Sequence, residues 1–143
     1  MELIERLRNL FANDLYATRQ TGIVIEQVTD EEVVCCIALQ QHHRNAKGAV
    51  MGGVLFTLAD YAFAVAVHVD TVKETDPHHD VQLHWVTSSS TIHYLAAAKG
   101  DRLTATTHCI KKGRQQAVFQ ISITDSLGTP IALVTTTGTN TLH

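Results

Sequence analysis

The spacing of apolar residues changes along the chain, and each change marks an element. From Glu2 to Tyr16, Leu3, Leu7, Leu10 and Leu15 recur at helical spacing, with Phe11 beside them and Glu5, Arg6 and Arg8 between. This predicts a short amphipathic N-terminal helix within residues 1–18. Thr21 to Thr29 and Glu32 to Gln40 are β-branched runs separated by Asp30 and Glu31, the pattern of a hairpin. A polar loop, Q-H-H-R-N-A-K-G, then leads into the longest apolar run, G-A-V-M-G-G-V-L-F-T-L-A-D-Y-A-F-A-V-A-V-H-V. From Val54 to Val69 that run is apolar on every side rather than striped, which predicts a buried helix ending near Val69. The segment D-T-V-K-E-T-D-P-H-H-D has charge and proline without periodicity and reads as a surface loop. From about Val81 the pattern becomes extended and continues through about four strands. Lys112 with Gly113, and Ser126 to Thr129 with Gly128, are the turns between neighbours.

Strands grouped after helices and joined by tight turns predict an α+β domain with an antiparallel sheet. A helix apolar all round must be covered all round, so the sheet is expected to curl about it. One sheet leaves part of such a helix open, which predicts a homodimer or a dimer of dimers. Asp60, Thr57 and Tyr61 interrupt the run where a membrane span of ~20 residues would carry none, so no membrane is expected as a partner.

The 143 residues fit one domain, 1–143, and the net charge of -3 gives no basic surface for nucleic acid. Three cysteines, two of them adjacent, form no disulfide framework, and M-E-L-I-E-R-L-R-N-L-F lacks the apolar core of a secretory signal. A reducing cytoplasm is the expected location. His78, His79, Asp80 and His84 can be written as a metal set, but adjacent loop side chains have no fixed geometry, and neither a metal nor another cofactor is expected. His42 and His43 fall in the loop before the long helix, in a position to lie near the mouth of a site there, although a loop histidine is usually just polar. Trp85, Tyr94 and His68 are expected to pack.

The stretch N-A-K-G-A-V-M-G-G-V-L-F-T-L-A-D-Y-A resembles the hotdog-fold acyl-CoA thioesterases, in particular the PaaI-like branch of the 4-hydroxybenzoyl-CoA thioesterase superfamily. An Asn, a Gly, a Gly-Gly pair and an L-A-D triplet recur there at this spacing. I-H-Y-L-A-A-A-K-G-D-R-L-T-A-T and T-D-S-L-G-T-P-I-A match its strand pattern. The resemblance implies a hotdog fold, five to six curled antiparallel strands around one long central helix, and hydrolysis of a small or medium acyl- or aryl-CoA thioester. It places the catalytic carboxylate on Asp60, the helix-start glycine on Gly53, the motif asparagine on Asn45 and a strand hydroxyl on Thr87. Where the family carries a histidine before the glycine pair, this chain has Met51.

Thioester hydrolysis needs an activated attacker and a place for the negative charge that develops on the carbonyl oxygen. A carboxylate serves as general base for water or as a nucleophile. Asp60 suits either role, its apolar neighbours raising its pKa unless nearby donors hold the anion; the alternative is a structural aspartate bonded to a hydroxyl or to backbone. Gly52 and Gly53 leave the first N–H groups of the helix unshielded, and Gly53 can donate to the oxyanion with the helix dipole behind it; close packing is the alternative there. Gly53 and Asp60 lie seven positions apart, on nearly one face but about 10 Å apart along the axis at ~1.5 Å per residue. One thioester carbon can hardly touch both, which predicts a site shared between subunits, Asp60 of one facing Gly53 and Asn45 of the other. For the CoA phosphates the candidates are Lys111, Lys112 and Arg114 at a turn, with Arg44 and Lys47 besides. Two other readings stand beside hydrolysis. One is a non-catalytic acyl-CoA-binding hotdog protein, which Met51 keeps open. The other is a hotdog dehydratase, disfavoured because Arg44 and Asn45 follow His43 in place of the Phe-Pro of that family's motif.

Overall fold

The computed structural model describes residues 1–142. Helix α1 (Leu3–Phe11) and a π-helical turn (Tyr16–Gln20) precede strands β1 (Ile23–Val28) and β2 (Val33–Ala38). A 3-10 turn (Gln41–His43) leads to α2 (Gly52–Val67) and α3 (Val69–Glu74). Strands β3 (Trp85–Tyr94), β4 (Arg102–Lys112), β5 (Gln116–Asp125) and β6 (Pro130–Asn140) follow. The six strands form one antiparallel sheet in the order β1-β2-β4-β5-β6-β3, so β3 crosses over to the edge opposite β1.

Side chains on β5 alternate between buried and less buried, the period-two signature of a sheet with one face on a core. That face holds Ile121 and Ile123 of β5, Leu103 and Ala105 of β4, and Cys35 and Ile37 of β2, all fully buried. Helix α2 lies across it with Leu55, Leu58, Ala59, Ala62 and Val65, one stripe at i, i+3, i+4 spacing. Gly138 on β6 is where Phe63 lies against the sheet, since a Cβ there would come within 2.5 Å of the ring. The stretch Gly52–Glu74 is apolar and long enough to cross a bilayer by composition alone; here it is the core helix of the fold.

Several boundaries differ from the sequence expectations. The first helix stops at Phe11, where Asn13 and Asp14 tighten its end with i→i−3 bonds, and Leu15 is left half exposed rather than packed. The long helix bends at His68 (φ −100°, ψ 1°) and then continues as α3 through Glu74, in what reads as a surface loop. Burial drives that extension: Val72 is fully buried, and a first-turn Asp70 and last-turn Lys73 suit the helix dipole. The four residues before Trp85 are not strand.

The two sheet edges are finished differently. At β1 the Arg8 guanidinium donates from Nε and Nη2 to the Ile25 carbonyl at 2.9 and 2.8 Å, so α1 occupies part of that edge. At β3 the outer edge has no strand beside it, and most of its Ser- and Thr-rich face is exposed.

Candidate active site

The sheet covers one side of α2 and leaves a narrow stripe open, running through Gly53, Thr57, Asp60 and Ala64 at steps of three and four. Asp60 is therefore exposed in the single chain, which corrects the expectation of a desolvated carboxylate. The residues flanking it in sequence, Ala59 and Tyr61, are buried, and Asp60 is not. Across the gap from β3, Thr87 donates its hydroxyl to Asp60 Oδ1 at 3.2 Å, so two of the expected residues do meet. A bulge between Thr87 and Ser89 locally alters the register of β3 on β6 beside this contact.

The start of α2 is open. Met51 occupies the N-cap with extended backbone, no side chain caps the helix, and the first intrahelical bonds run from Val54 and Leu55 back to the Met51 carbonyl. The Gly52 and Gly53 N–H groups have no acceptor among the described residues. Their surroundings differ sharply. A Cβ on Gly52 would meet the Tyr94 ring at 3.1 to 3.2 Å, and the Tyr94 hydroxyl donates to the Gly52 carbonyl at 3.3 Å. A Cβ on Gly53 would meet nothing within 4 Å, so packing within this chain does not require glycine there.

Asn45 shapes the loop in front of the helix. Its Oδ1 accepts from the Lys47 and Ala49 N–H groups at 3.0 and 3.2 Å, leaving Nδ2 without an acceptor among the described residues. No hydrogen bond joins Asn45 to Asp60. Met51 is half exposed, and its N–H donates to the His43 carbonyl. His43 itself is a correction to the loop reading, being only 2% exposed. Its Nδ1 accepts from the Gln40 N–H at 2.9 Å, which makes Nε2 the donor to the Thr21 carbonyl at 2.7 Å. The ring is spent on joining two loops and cannot take the place of the histidine that Met51 replaces.

At the other end of α2 the Ala64, Val65 and Val67 carbonyls each accept a hydrogen bond from outside the regular helix ladder. Lys112, expected at a phosphate, turns inward: Nζ donates to the Val67 carbonyl at 2.9 Å, lies 3.5 Å from Asp70 and 5.4 Å from the centre of the Trp85 ring. That position is about 22 Å along the helix from Gly52 at ~1.5 Å per residue. Arg114 stays at the exposed β4–β5 turn, its carbonyl accepting from Asn140. His68 donates from Nδ1 to the Ala64 carbonyl at 2.7 Å and accepts the Trp85 N–H on Nε2 at 3.1 Å. Burial, with lesser contributions from His84 and Lys112, holds it below the ordinary histidine value, although the bond to Ala64 opposes this. His84 bridges Thr71 and Asn140. Among the described residues no group of three or more His, Cys, Asp or Glu side chains is arranged to hold a metal ion.

Next to Asp60 the structure adds residues that the sequence did not single out. A pocket of about 310 Å³ lies between the open stripe of α2 and the chain from Asp14 to Ala17. Asp14 has its carboxyl raised above the ordinary value, first by burial and then by the charge of Asp60. In the sequence Asp14 is only one polar residue at a helix end, and nothing in its spacing links it to Asp60.

A curled antiparallel sheet wrapped on one bent central helix is the hotdog fold of the thioesterases. Residues 47–132 match the family described as the thioesterase superfamily. The acyl-coenzyme A thioesterase PaaI of Escherichia coli K12 is 30% identical over 125 residues, 87% of this chain and 81% of that one. The solved E. coli PaaI protein, from the phenylacetic acid degradation operon, superposes with a TM-score of 0.76 at 26% identity, covering 96% of this chain and 95% of that one. A hypothetical thioesterase of Streptococcus pneumoniae TIGR4, solved with coenzyme A, gives 0.76 at 28% identity over 92% of this chain and 96% of that one. A Caenorhabditis elegans relative, provisionally named an esterase, is 34% identical over 110 residues; these are 76% of this chain but only 55% of that longer protein. The chain belongs to the thioesterase superfamily, as a hotdog thioester hydrolase of the PaaI type.

Proposed function

We propose that the protein hydrolyses an acyl-CoA thioester to the free acid and CoA, with Asp60 as the attacking or activating carboxylate. The observation that carries this reading is the Thr87–Asp60 contact on the open stripe of α2. That bond uses one oxygen of the carboxylate and leaves the other without a protein partner, free to take a proton from water or to attack the carbonyl carbon. In the general-base route Asp60 takes a proton from water as the oxygen adds to the thioester carbon. The tetrahedral intermediate then expels the thiolate, which recovers the proton. In the nucleophilic route the Asp60 carboxylate adds to the carbonyl carbon and the C–S bond breaks, releasing CoA thiolate and leaving a mixed anhydride. Water opens the anhydride to the free acid and the Asp60 carboxylate, and a proton from that water goes to the thiolate. The developing oxyanion is held by the Gly53 N–H at the positive end of α2. The vacant space at Gly53 supports this, because a glycine that its own chain does not need leaves room for an incoming group.

Gly53 and Asp60 stay too far apart on one helix to serve one carbon. The site is therefore completed by a second copy: Asp60 and Thr87 of one subunit face Gly53 and Asn45 of the other. The unpaired outer edge of β3, which carries Thr87, is the surface on which that copy adds. Met51 supplies no polar group, so backbone donors act without a histidine. Arg44, Lys47, Lys111 and Arg114 remain candidates for the CoA phosphates, while the Lys112 ammonium is already engaged with α2.

Thiol release from a panel of aliphatic and aromatic acyl-CoA thioesters tests the reading. Release that disappears in Asp60→Ala is expected. Binding of the panel without release would identify a non-catalytic acyl-CoA-binding protein instead.

A further inference from the structure

The pocket between Asp14–Ala17 and the open stripe of α2 borders the carboxylate that the hydrolysis reading makes catalytic. Its walls are mostly apolar, contributed by Leu15, Tyr16, Ala17, Tyr61 and Ala64. Tyr61 is only 5% exposed, its ring stacked edge-on against Phe11, yet its hydroxyl has no hydrogen-bond partner among the described residues. The hydroxyl is not among the fully buried polar groups, so it is open to water at the pocket. Burial comes first, followed by the charges of Cys35 and Asp14, in pushing the Tyr61 phenol above its ordinary value.

Charge decides what can enter. Asp14 and Asp60 both line the pocket, and no lysine, arginine or histidine does. The Asp14 side chain is exposed and makes no hydrogen bond or ion pair among the described residues, so water screens its charge but no protein cation offsets it. The phosphates of CoA are repelled from such a wall and must leave the site in another direction, which leaves this pocket to the acyl end of the substrate.

We infer that Asp14 is a specificity-determining residue: the pocket it shares with Asp60 admits acyl groups that are uncharged at their far end and rejects those ending in a carboxylate. This rests on the acyl-CoA hydrolysis proposed above. The discrimination comes from repulsion of the wrong substrate, a like charge brought into a partly desolvated site whose carboxylates cannot both be relieved.

The test compares kcat/KM for matched acyl-CoA pairs, hexanoyl with adipoyl and octanoyl with suberyl, at about pH 8, where carboxylates are ionised. Wild type is expected to favour the neutral member of a pair by about tenfold or more, the scale of one like-charge contact at intermediate dielectric. Asp14→Asn should shrink that ratio about tenfold, and Asp14→Lys should shrink it further. The ratio is the readout because a general loss of activity or fold scales both members together. Equal rates on both members in wild type, or a ratio unchanged in both variants of an active enzyme, would overturn the inference and leave the hydrolysis reading standing. Absence of turnover on every thioester in wild type would instead overturn the hydrolysis reading, and this inference with it.

Discussion

The two halves of the central helix treat their polar groups in opposite ways. From Tyr61 to the bend at His68 the helix is mostly buried, and its end is closed: Lys112 holds the Val67 carbonyl, His68 holds Ala64 and Trp85, and His84 ties Thr71 to Asn140. From Gly52 to Asp60 the same helix leaves two N–H groups, the Asn45 amide nitrogen in front of it and one oxygen of Asp60 without acceptors or donors among the described residues. Satisfied polar groups around an apolar helix are what stability demands. Groups left open along one stripe contribute nothing to the single chain, which is why the chemistry is assigned to the N-terminal half.

That contrast breaks most plainly at Asp60. Asp60→Asn keeps size and hydrogen bonding to Thr87 but removes the base, so kcat should fall about 10³-fold with the urea midpoint nearly unchanged, since the side chain is exposed. If instead the midpoint drops while kcat survives, Asp60 belongs with the structural half. At Gly53 the expected signs are opposed: Gly53→Ala meets no atom in its own chain and improves helix propensity. Stability should therefore hold or rise by about 0.5 kcal/mol, while kcat/KM falls about tenfold through crowding of the oxyanion position.

The closed end should answer in the other currency. Lys112→Met removes the donor to Val67 and the contact with Asp70, costing about 1 kcal/mol of stability by denaturation, with KM for acyl-CoA unchanged. A KM that rises with stability unaffected would return Lys112 to the phosphate role. His68 gives a smaller, pH-dependent effect. Its folded value lies below the ordinary 6.5, so it contributes stability above that pH and loses it as pH falls toward the depressed folded value. The main physical reason is burial, which disfavours the charged ring, and Nε2 accepts the Trp85 N–H only while unprotonated. Urea unfolding from about pH 7.5 to about pH 5.5 should show this slope, and His68→Gln should flatten it.

Much of the fold was legible because burial leaves a periodic trace. The apolar run marked the central helix, and alternation with glycine turns marked the later strands. The helix beyond the bend at His68 was not legible, because α3 is held by the single buried Val72 in a segment that otherwise looks like a polar loop. For the candidate site, Asp60 was picked out by its motif and Thr87 by its place on the strand after the long loop, and the two side chains are hydrogen-bonded. The exposure of Asp60 was hidden because neighbours in sequence are not neighbours on a helix surface. His43 looked like a loop histidine until its ring was found bonded between Thr21 and Gln40, a contact spanning 22 residues. Asp14 and Tyr94 came near the helix only through tertiary folding, the first beside Asp60 and the second against Gly52.

The central claim, that one subunit's Asp60 works with another's Asn45 and Gly53, is tested most directly by mixing two inactive chains. Differently tagged Asp60→Ala and Asn45→Ala proteins are unfolded together, refolded and purified as heterodimers. A shared site leaves one of the two sites intact in each heterodimer, so turnover should return to about half that of wild type. Heterodimers as inactive as either parent would contradict the account and place each complete site within a single chain.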